Sequence, residues 1–295
     1  MEHEFRDFIP MSIVSGRAAQ FVVNCFMKSI EEKRAEFRKL HQSGCFALPN
    51  PWDPGTAKYL QHLGFKAIAT TSAGFAFSRA LADGSVKRDA MIAHIRELVE
   101  ATDIPVNADF ENGYADEPNW CAENARLCAE TGVAGLSIED AADRKESPLY
   151  DVNLAVERIH ACKEALHGTN CLLVGRAEGF LVGREKLDQV ITRLVKYSEA
   201  GAECLYAPGY KDRESNKAII DAVAPKPVNV LIGGPGGLTM RDAEEIGARR
   251  VSVGGAFARA AWGGFVRSAK ELLEKGTFDE LTHATPYAEL QELFG

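Results

Sequence analysis

The sequence predicts an α/β protein of the (β/α)8 TIM-barrel class. Three observations predict it. A short apolar run, a polar or glycine-rich turn and a helical pattern recur eight times within the 295 residues. That count and spacing fit a closed barrel better than an open sheet. Helical patterns repeatedly stop at a glycine ahead of the next apolar run, at Gly64, Gly132, Gly201 and Gly247. Glycine at that position is a common helix terminator. No GxGxxG turn follows the first apolar run, which removes support for a dinucleotide-binding open sheet.

In chain order, residues 1–29 read as an N-terminal extension, and residues 30–295 as a single barrel domain with C-terminal helices. An amphipathic helix carries Glu31, Glu32, Lys33, Arg34 and Glu36, with Phe37 and Leu40 on one side, and closes at Ser43-Gly44. Strands are expected at 45–48, 66–70, 104–108, 133–138, 171–175, 204–206, 228–232 and 250–253. Helices are expected near 56–63, 88–101, 119–131, 152–166, 186–200, 214–223 and 239–246. A long apolar helical stretch then passes through Phe257, Trp262, Phe265 and Leu272. The tail from Gly276 has room for one more short helix.

Composition narrows the function classes. Apolar residues make up 46% and charged residues 26%, as in ordinary globular proteins. A net charge of -8 argues against general nucleic-acid or acidic-membrane binding. No apolar run approaches the roughly 20 residues of a membrane span. Glu2, Glu4 and Asp7 precede the first apolar stretch, and no small-residue cleavage site follows it, which argues against a secretory signal. The seven cysteines (Cys25, Cys45, Cys121, Cys128, Cys162, Cys171, Cys204) show no CxxC spacing. They are expected to be buried, reduced thiols of a cytoplasmic protein.

In a barrel of this class the active site lies at the C-terminal strand ends. Those ends carry Asn50, Trp52 and Asp53 (strand one), Thr71-Ser72-Ala73 with Asp83 beyond (two), Asp109 and Glu111 (three), Glu139-Asp140 (four), Arg176 and Glu178 (five), Tyr206 (six), and Asn229 with the glycines after it (seven). Asp109 and Glu111 stand one residue apart. On a strand they would point the same way, and two such charges need a compensating cation. Together with Glu139 they suit a hard divalent ion with oxygen ligands, Mg2+ above all and Mn2+ as its substitute. Arg176 suits a substrate carboxylate, because its planar fork binds such groups in bidentate fashion. All seven histidines fall in helix-like segments or near the termini, where a surface or helix-face role is expected. That argues against a Ser-His-Asp triad or a histidine-rich metal centre.

With these residues the chain resembles the isocitrate lyase / phosphoenolpyruvate mutase superfamily. The likeness runs from about Phe37 to Trp262. It rests on Pro49-Asn50-Pro51-Trp52-Asp53, Asp109-Phe110-Glu111-Asn112-Gly113-Tyr114, Ser137-Ile138-Glu139-Asp140, Arg176-Ala177-Glu178 and Val251-Ser252-Val253-Gly254-Gly255. The resemblance implies Mg2+ on Asp109, with Glu111 and Glu139 holding metal-bound water. It implies Arg176 on the substrate carboxylate and backbone N–H groups of Thr71-Ser72-Ala73 at the other end of a pyruvate-like moiety. Asp83 matches a family aspartate near the reacting group. Trp52, Tyr206 and Asn229 would complete the substrate wall, and Glu178 the catalytic set. The shared chemistry is a pyruvate-type enolate, with C–C or P–C cleavage giving lyase, decarboxylase, hydrolase or mutase outcomes. The resemblance also implies a homodimer or homotetramer whose last helix is swapped between subunits.

The chain departs from the superfamily after Asp140. The loop there reads Ala141-Ala142-Asp143-Arg144-Lys145-Glu146-Ser147-Pro148-Leu149-Tyr150. Isocitrate and methylisocitrate lyases carry Lys-Lys-Cys-Gly-His in this place, with a catalytic cysteine. Phosphonate-forming mutases carry a lysine and an asparagine for the phosphoryl group, and Arg144 and Lys145 are the residues here that would replace them. Two other readings follow: an oxo-acid sensor without turnover, and a phosphosugar barrel using Gly233-Gly234 and Gly254-Gly255.

Overall fold

The computed structural model describes residues 28–142 and 144–295. Almost all of the expected extension over residues 1–29, Cys25 and Asp143 fall outside them. The first helix, α1 (Ile30–Leu40), starts at Ser29, whose Oγ accepts from Glu32 N (3.1 Å) while Glu32 Oε2 accepts from Ser29 N (2.7 Å). This reciprocal box satisfies two donors that a helix start leaves open. The helix plugs the bottom of the barrel with fully buried Phe37. Its cations tie it down: Arg34 donates to the carbonyls of Val133 (3.0 Å), Ala129 (2.7 Å) and Thr169 (2.7 Å).

Eight parallel strands follow: β1 (Phe46–Leu48), β2 (Ile68–Ala69), β3 (Val106–Asp109), β4 (Gly135–Glu139), β5 (Leu172–Arg176), β6 (Cys204–Tyr206), β7 (Val228–Leu231) and β8 (Arg250–Ser252). They pair in the order β1-β8-β7-β6-β5-β4-β3-β2. Across the remaining gap Ala69 N donates to Pro49 O (2.9 Å), so the barrel is nearly closed. The intervening helices are α2 (Pro54–His62), α3 (Ser72–Ser78), α4 (Arg88–Ala101), α5 (Pro118–Ala129), α6 (Val152–Ala165), α7 (Leu187–Glu199), α8 (Arg213–Val223) and α9 (Met240–Glu245). After β8 come α10 (Ala256–Lys275), a 3-10 turn (Asp279–His283) and α11 (Tyr287–Phe294). The four helix-stop glycines take positive φ of 91° (Gly64), 94° (Gly132), 108° (Gly201) and 92° (Gly247), a conformation that costs glycine little.

Strand alternation sorts side chains into two cores. Ile68, Val106, Ala108, Leu136, Ile138, Leu173, Leu205, Val228, Val230 and Val251 face outward and pack with the helices. Leu48, Ala69, Leu172, Val174, Cys204 and Tyr206 face inward above Phe37. The inward set turns polar toward the top, and there the candidate site begins.

Four expectations need correction. Thr71-Ser72-Ala73 is not a free turn: Thr71 caps the unexpected helix α3, its Oγ1 accepting from Gly74 N (3.2 Å). Glu111 does not continue β3. The strand ends at Asp109, and Glu111 takes a left-handed φ of 47°, so alternation does not aim its side chain. His41 and His94 are buried; His94 stacks on Phe75 at 3.7 Å, and His41 packs edge-on to Phe37 and Phe46. Cys45 is only partly buried, because it precedes β1 at the barrel's lower rim, while the other described cysteines are buried free thiols.

Candidate active site

Arg176, the last residue of β5, organises the mouth of the barrel. Its Nε donates to Glu178 Oε1 (2.5 Å), and its Nη1 lies 3.2 Å from both Asp109 Oδ1 and Glu139 Oε2. The guanidinium carbon stands 5.0 Å from the centroid of the Tyr206 ring. Strand register explains the meeting: Glu139 pairs with Arg176 across β4–β5, and Arg176 with Tyr206 across β5–β6. Burial opposes the guanidinium charge, but Glu139, Glu178 and Asp109 around it more than compensate and hold its pKa well above the usual value. Three carboxylates on one cation leave the cluster with a surplus of negative charge.

That surplus appears in the carboxylates. Burial first, then the charge of Asp109, raises Glu111 to about 7; Tyr114 OH donates to its Oε1 (3.0 Å). Glu139 is likewise pushed well up, by burial and by the neighbouring carboxylates, with Arg176 opposing. Glu139 N donates to Glu111 O (3.0 Å), which joins the left-handed turn to β4. Asp109 is anchored differently. Its Oδ2 accepts from Ser72 N at the start of α3 (3.0 Å), and its own N–H donates to Thr70 Oγ1 (2.8 Å). A helix N-terminus favours a carboxylate. Ser72 Oγ donates to Asp83 Oδ1 (3.1 Å), which brings Asp83 to the exposed rim; partial burial and Asp109 raise its pKa.

A cavity of about 150 Å3 opens at this mouth, walled by Thr71, Ser72, Ala73, Asp83, Asp109, Arg176, Tyr206 and Asn229. A larger one, about 760 Å3, adjoins it beneath the loop after β4 and is bordered by Glu111, Glu139, Asn112, Asp116, Lys87 and Arg88. Four expected residues, Trp52, Arg144, Lys145 and Glu178, border neither. Trp52 lies in the β1–α2 loop, with its Cβ against Gly74. Arg144 is exposed and pairs with Asp116, and Lys145 is exposed without an ion pair among the described residues. Glu178 is buried behind Arg176, and its N–H donates to Asp140 Oδ1 (2.7 Å).

Two clusters bring residues the sequence reading does not single out, Arg193 and Tyr197 in one and Arg250 and Asn107 in the other, to Asp140 and Asn229, which it names. Asp140 is buried and accepts from Tyr197 OH (2.5 Å) and Arg193 Nη1 (3.3 Å), so it fixes the backbone that carries Glu178. Arg250, Asn229 and Asn107 form a polar layer under the cavity. The signal for that layer was legible: polar residues at inward positions of otherwise apolar strands.

The family model described as phosphoenolpyruvate phosphomutase matches residues 37–273. The chain belongs to the phosphoenolpyruvate phosphomutase family. It is 33% identical over 260 residues to the uncharacterized protein Rv1998c of Mycobacterium tuberculosis (strain ATCC 25618 / H37Rv), covering 86% of this chain and 94% of that protein. It is 29% identical over 231 residues to an oxaloacetate decarboxylase of Pseudomonas putida (strain GB-1), covering 74% of this chain and 76% of that one. A candidate lyase/mutase structure from Burkholderia cenocepacia J2315 superposes with a TM-score of 0.87 at 46% identity, covering 90% and 96% of the two chains. The 2,3-dimethylmalate lyase structure shares the fold at 23% identity, with a TM-score of 0.78 over 91% of this chain and 95% of that one. The enzyme class expected from the sequence, lyase or phosphonomutase-type isomerase, is the class of these named relatives.

Proposed function

We propose that the chain is a Mg2+-dependent lyase or mutase acting on a small α-oxo or 2-hydroxy carboxylate through a pyruvate-type enolate. The observation that carries this reading is the gathering of Asp109, Glu139 and Glu178 on Arg176 at the mouth of a barrel of this family. Among the described residues no three His, Cys, Asp or Glu side chains are close enough to cage an ion directly. The donors gathered at the mouth are carboxylate oxygens, which suit Mg2+, an ion that keeps several waters and takes few protein ligands. The excess of carboxylate over guanidinium is the charge that a divalent cation would relieve. Asp109 would hold the ion directly, and Glu111 and Glu139 through water. Mn2+ would substitute. When bound, the ion supplies Lewis-acid polarisation of the substrate's oxygen.

The protein's own residues do the rest. Arg176 already uses Nε and Nη1 on carboxylates, so Nη2 is the nitrogen left for the substrate carboxylate. Ser72 N–H is engaged by Asp109 and its hydroxyl by Asp83, which leaves the backbone N–H of Ala73 for the opposite end. Asp83 faces the reacting group from the rim. Tyr206 and Asn229 close the wall. Arg144 and Lys145 reach the substrate only if their loop moves inward, and Trp52 only with movement of the β1–α2 loop. The 150 Å3 mouth has room for a three- or four-carbon acid beside Arg176.

We further infer a homodimer or homotetramer with α10 exchanged between subunits, in a reducing cytoplasm. Phe265, Leu272 and Leu273 of α10 are exposed by 64%, 52% and 86%, which motivates the first part. Buried free thiols motivate the second. The functional test is a screen for Mg2+-dependent pyruvate release from oxaloacetate, malate-type, isocitrate-type and phosphonopyruvate compounds. Turnover with one of them, abolished by chelation, is expected. Tight oxalate binding without any turnover would instead favour a sensor.

A further inference from the structure

Arg250 is a buried cation without a buried anion. It opens β8, is only 2% exposed, and lines the same cavity as Asp109 and Arg176. Its Nε donates to Asn229 Oδ1 (2.9 Å) and its Nη1 to Asn107 Oδ1 (3.1 Å). The third partner is His41 Nε2, 3.4 Å from Nη1. His41 Nδ1 is 2.7 Å from the carbonyl oxygen of Phe37, which can only accept, so Nδ1 carries the proton. Nε2 is then the acceptor face of a neutral imidazole. Every partner of Arg250 among the described residues is therefore uncharged. Buried guanidinium groups ordinarily meet a carboxylate, because desolvating a lone charge is costly. Arg176 has three such partners, and Arg250 has none.

Position gives the charge a use. Asn107 precedes Asp109 by two residues on β3, so both face inward, and the Arg250 layer lies one step below Asp109, about 7 Å along the strand. Wall residues of the small cavity run continuously from Asp109 and Arg176 down to Arg250. An anion entering that cavity meets a guanidinium saturated with carboxylates above and an uncompensated one below.

We propose that Arg250 is a positioning residue of the site: its unpaired charge draws the substrate carboxylate into the barrel mouth and offsets the carboxylates gathered on Arg176. This rests on the functional reading above. The charge acts through the field and not by contact with the reacting atoms. Removing it therefore has opposite effects on the two ligands: the anion binds more weakly and the cation does not.

The experiment is calorimetric titration of the folded wild-type protein and of Arg250→Met, Arg250→Gln and Arg250→Lys. Mg2+ is titrated alone, then oxalate in the presence of Mg2+. In the Met and Gln variants oxalate affinity is expected to fall on the order of ten-fold, from one unit charge at that distance, while Mg2+ binds as tightly or more tightly. The Lys variant is expected to stay close to wild type for both ligands. Parallel weakening of Mg2+ and oxalate, or no change in oxalate, would overturn the proposal in favour of a structural strut. So would failure of both neutral variants to fold while Lys folds. If the wild-type protein itself binds neither Mg2+ nor oxalate, the functional reading fails and the proposal falls with it.

Discussion

At Glu111 an unusual backbone and an unusual charge coincide. The residue sits at φ 47° and its carboxyl is raised to about 7 from 4.5. Between those two values the folded chain keeps a proton that the unfolded chain has released. Stability is therefore fully supported at low pH and falls as pH rises from about 4.5 through about 7. The full shift corresponds to about 3 kcal/mol as an upper bound. Glu111→Gln removes the penalty, so thermal unfolding of that variant should depend less on pH over this window than wild type. Mg2+ favours the ionised form, so the stabilisation it gives wild type should be larger at about pH 8 than at about pH 6. Equal Mg2+ stabilisation at both pH values would remove Glu111 from the metal site. Asp109→Asn and Arg176→Met should each lower kcat/KM on the order of 10²–10³-fold while leaving the circular dichroism unchanged. The types and order of these residues were legible in the sequence. The left-handed turn at Glu111 was not, because nothing local distinguishes it from a strand that runs on.

Element-scale support is concentrated in two places. Phe37 of α1 plugs the barrel bottom, and Phe37→Ala should cost about 3–5 kcal/mol, read as a shift in the denaturant midpoint. Arg193 of α7 bonds both buried Asp140 (3.3 Å) and Glu185 (2.7 Å). Arg193→Met strands both carboxylates and should cost about 3–5 kcal/mol. It should also slow turnover, because Asp140 holds the backbone of Glu178. Most elements were readable in advance, since the strands are largely apolar on both faces and four of the helices stop at Gly64, Gly132, Gly201 or Gly247. Helix α3 was missed because Thr71-Ser72-Ala73-Gly74 reads locally as a turn, and only Thr71 capping Gly74 N shows that a helix begins there. The Asp140–Arg193–Tyr197 cluster was missed because Asp140 lies more than fifty residues from both Arg193 and Tyr197 in sequence.

The molecule as a whole joins a barrel of known family to a mouth whose carboxylates outnumber its cations. Its C-terminal segment exposes apolar side chains that a lone chain leaves in water, including Phe265 and Leu273 of α10 and Phe278 beyond it. Light scattering should give a mass of at least two chains, and Phe265→Glu combined with Leu273→Glu should reduce it to one. The family and its barrel could be read from motif order, but the reaction could not, because the loop after Asp140 carries neither family's catalytic signature. The central claim concerns the ion at Asp109. It is tested most directly by an anomalous difference map from crystals grown with Mn2+ and oxalate. The expected result is one peak about 2.1 Å from an Asp109 carboxylate oxygen, with Glu111 and Glu139 in contact only through water. A map without a peak at Asp109, or with its peak elsewhere in the barrel, would contradict the account.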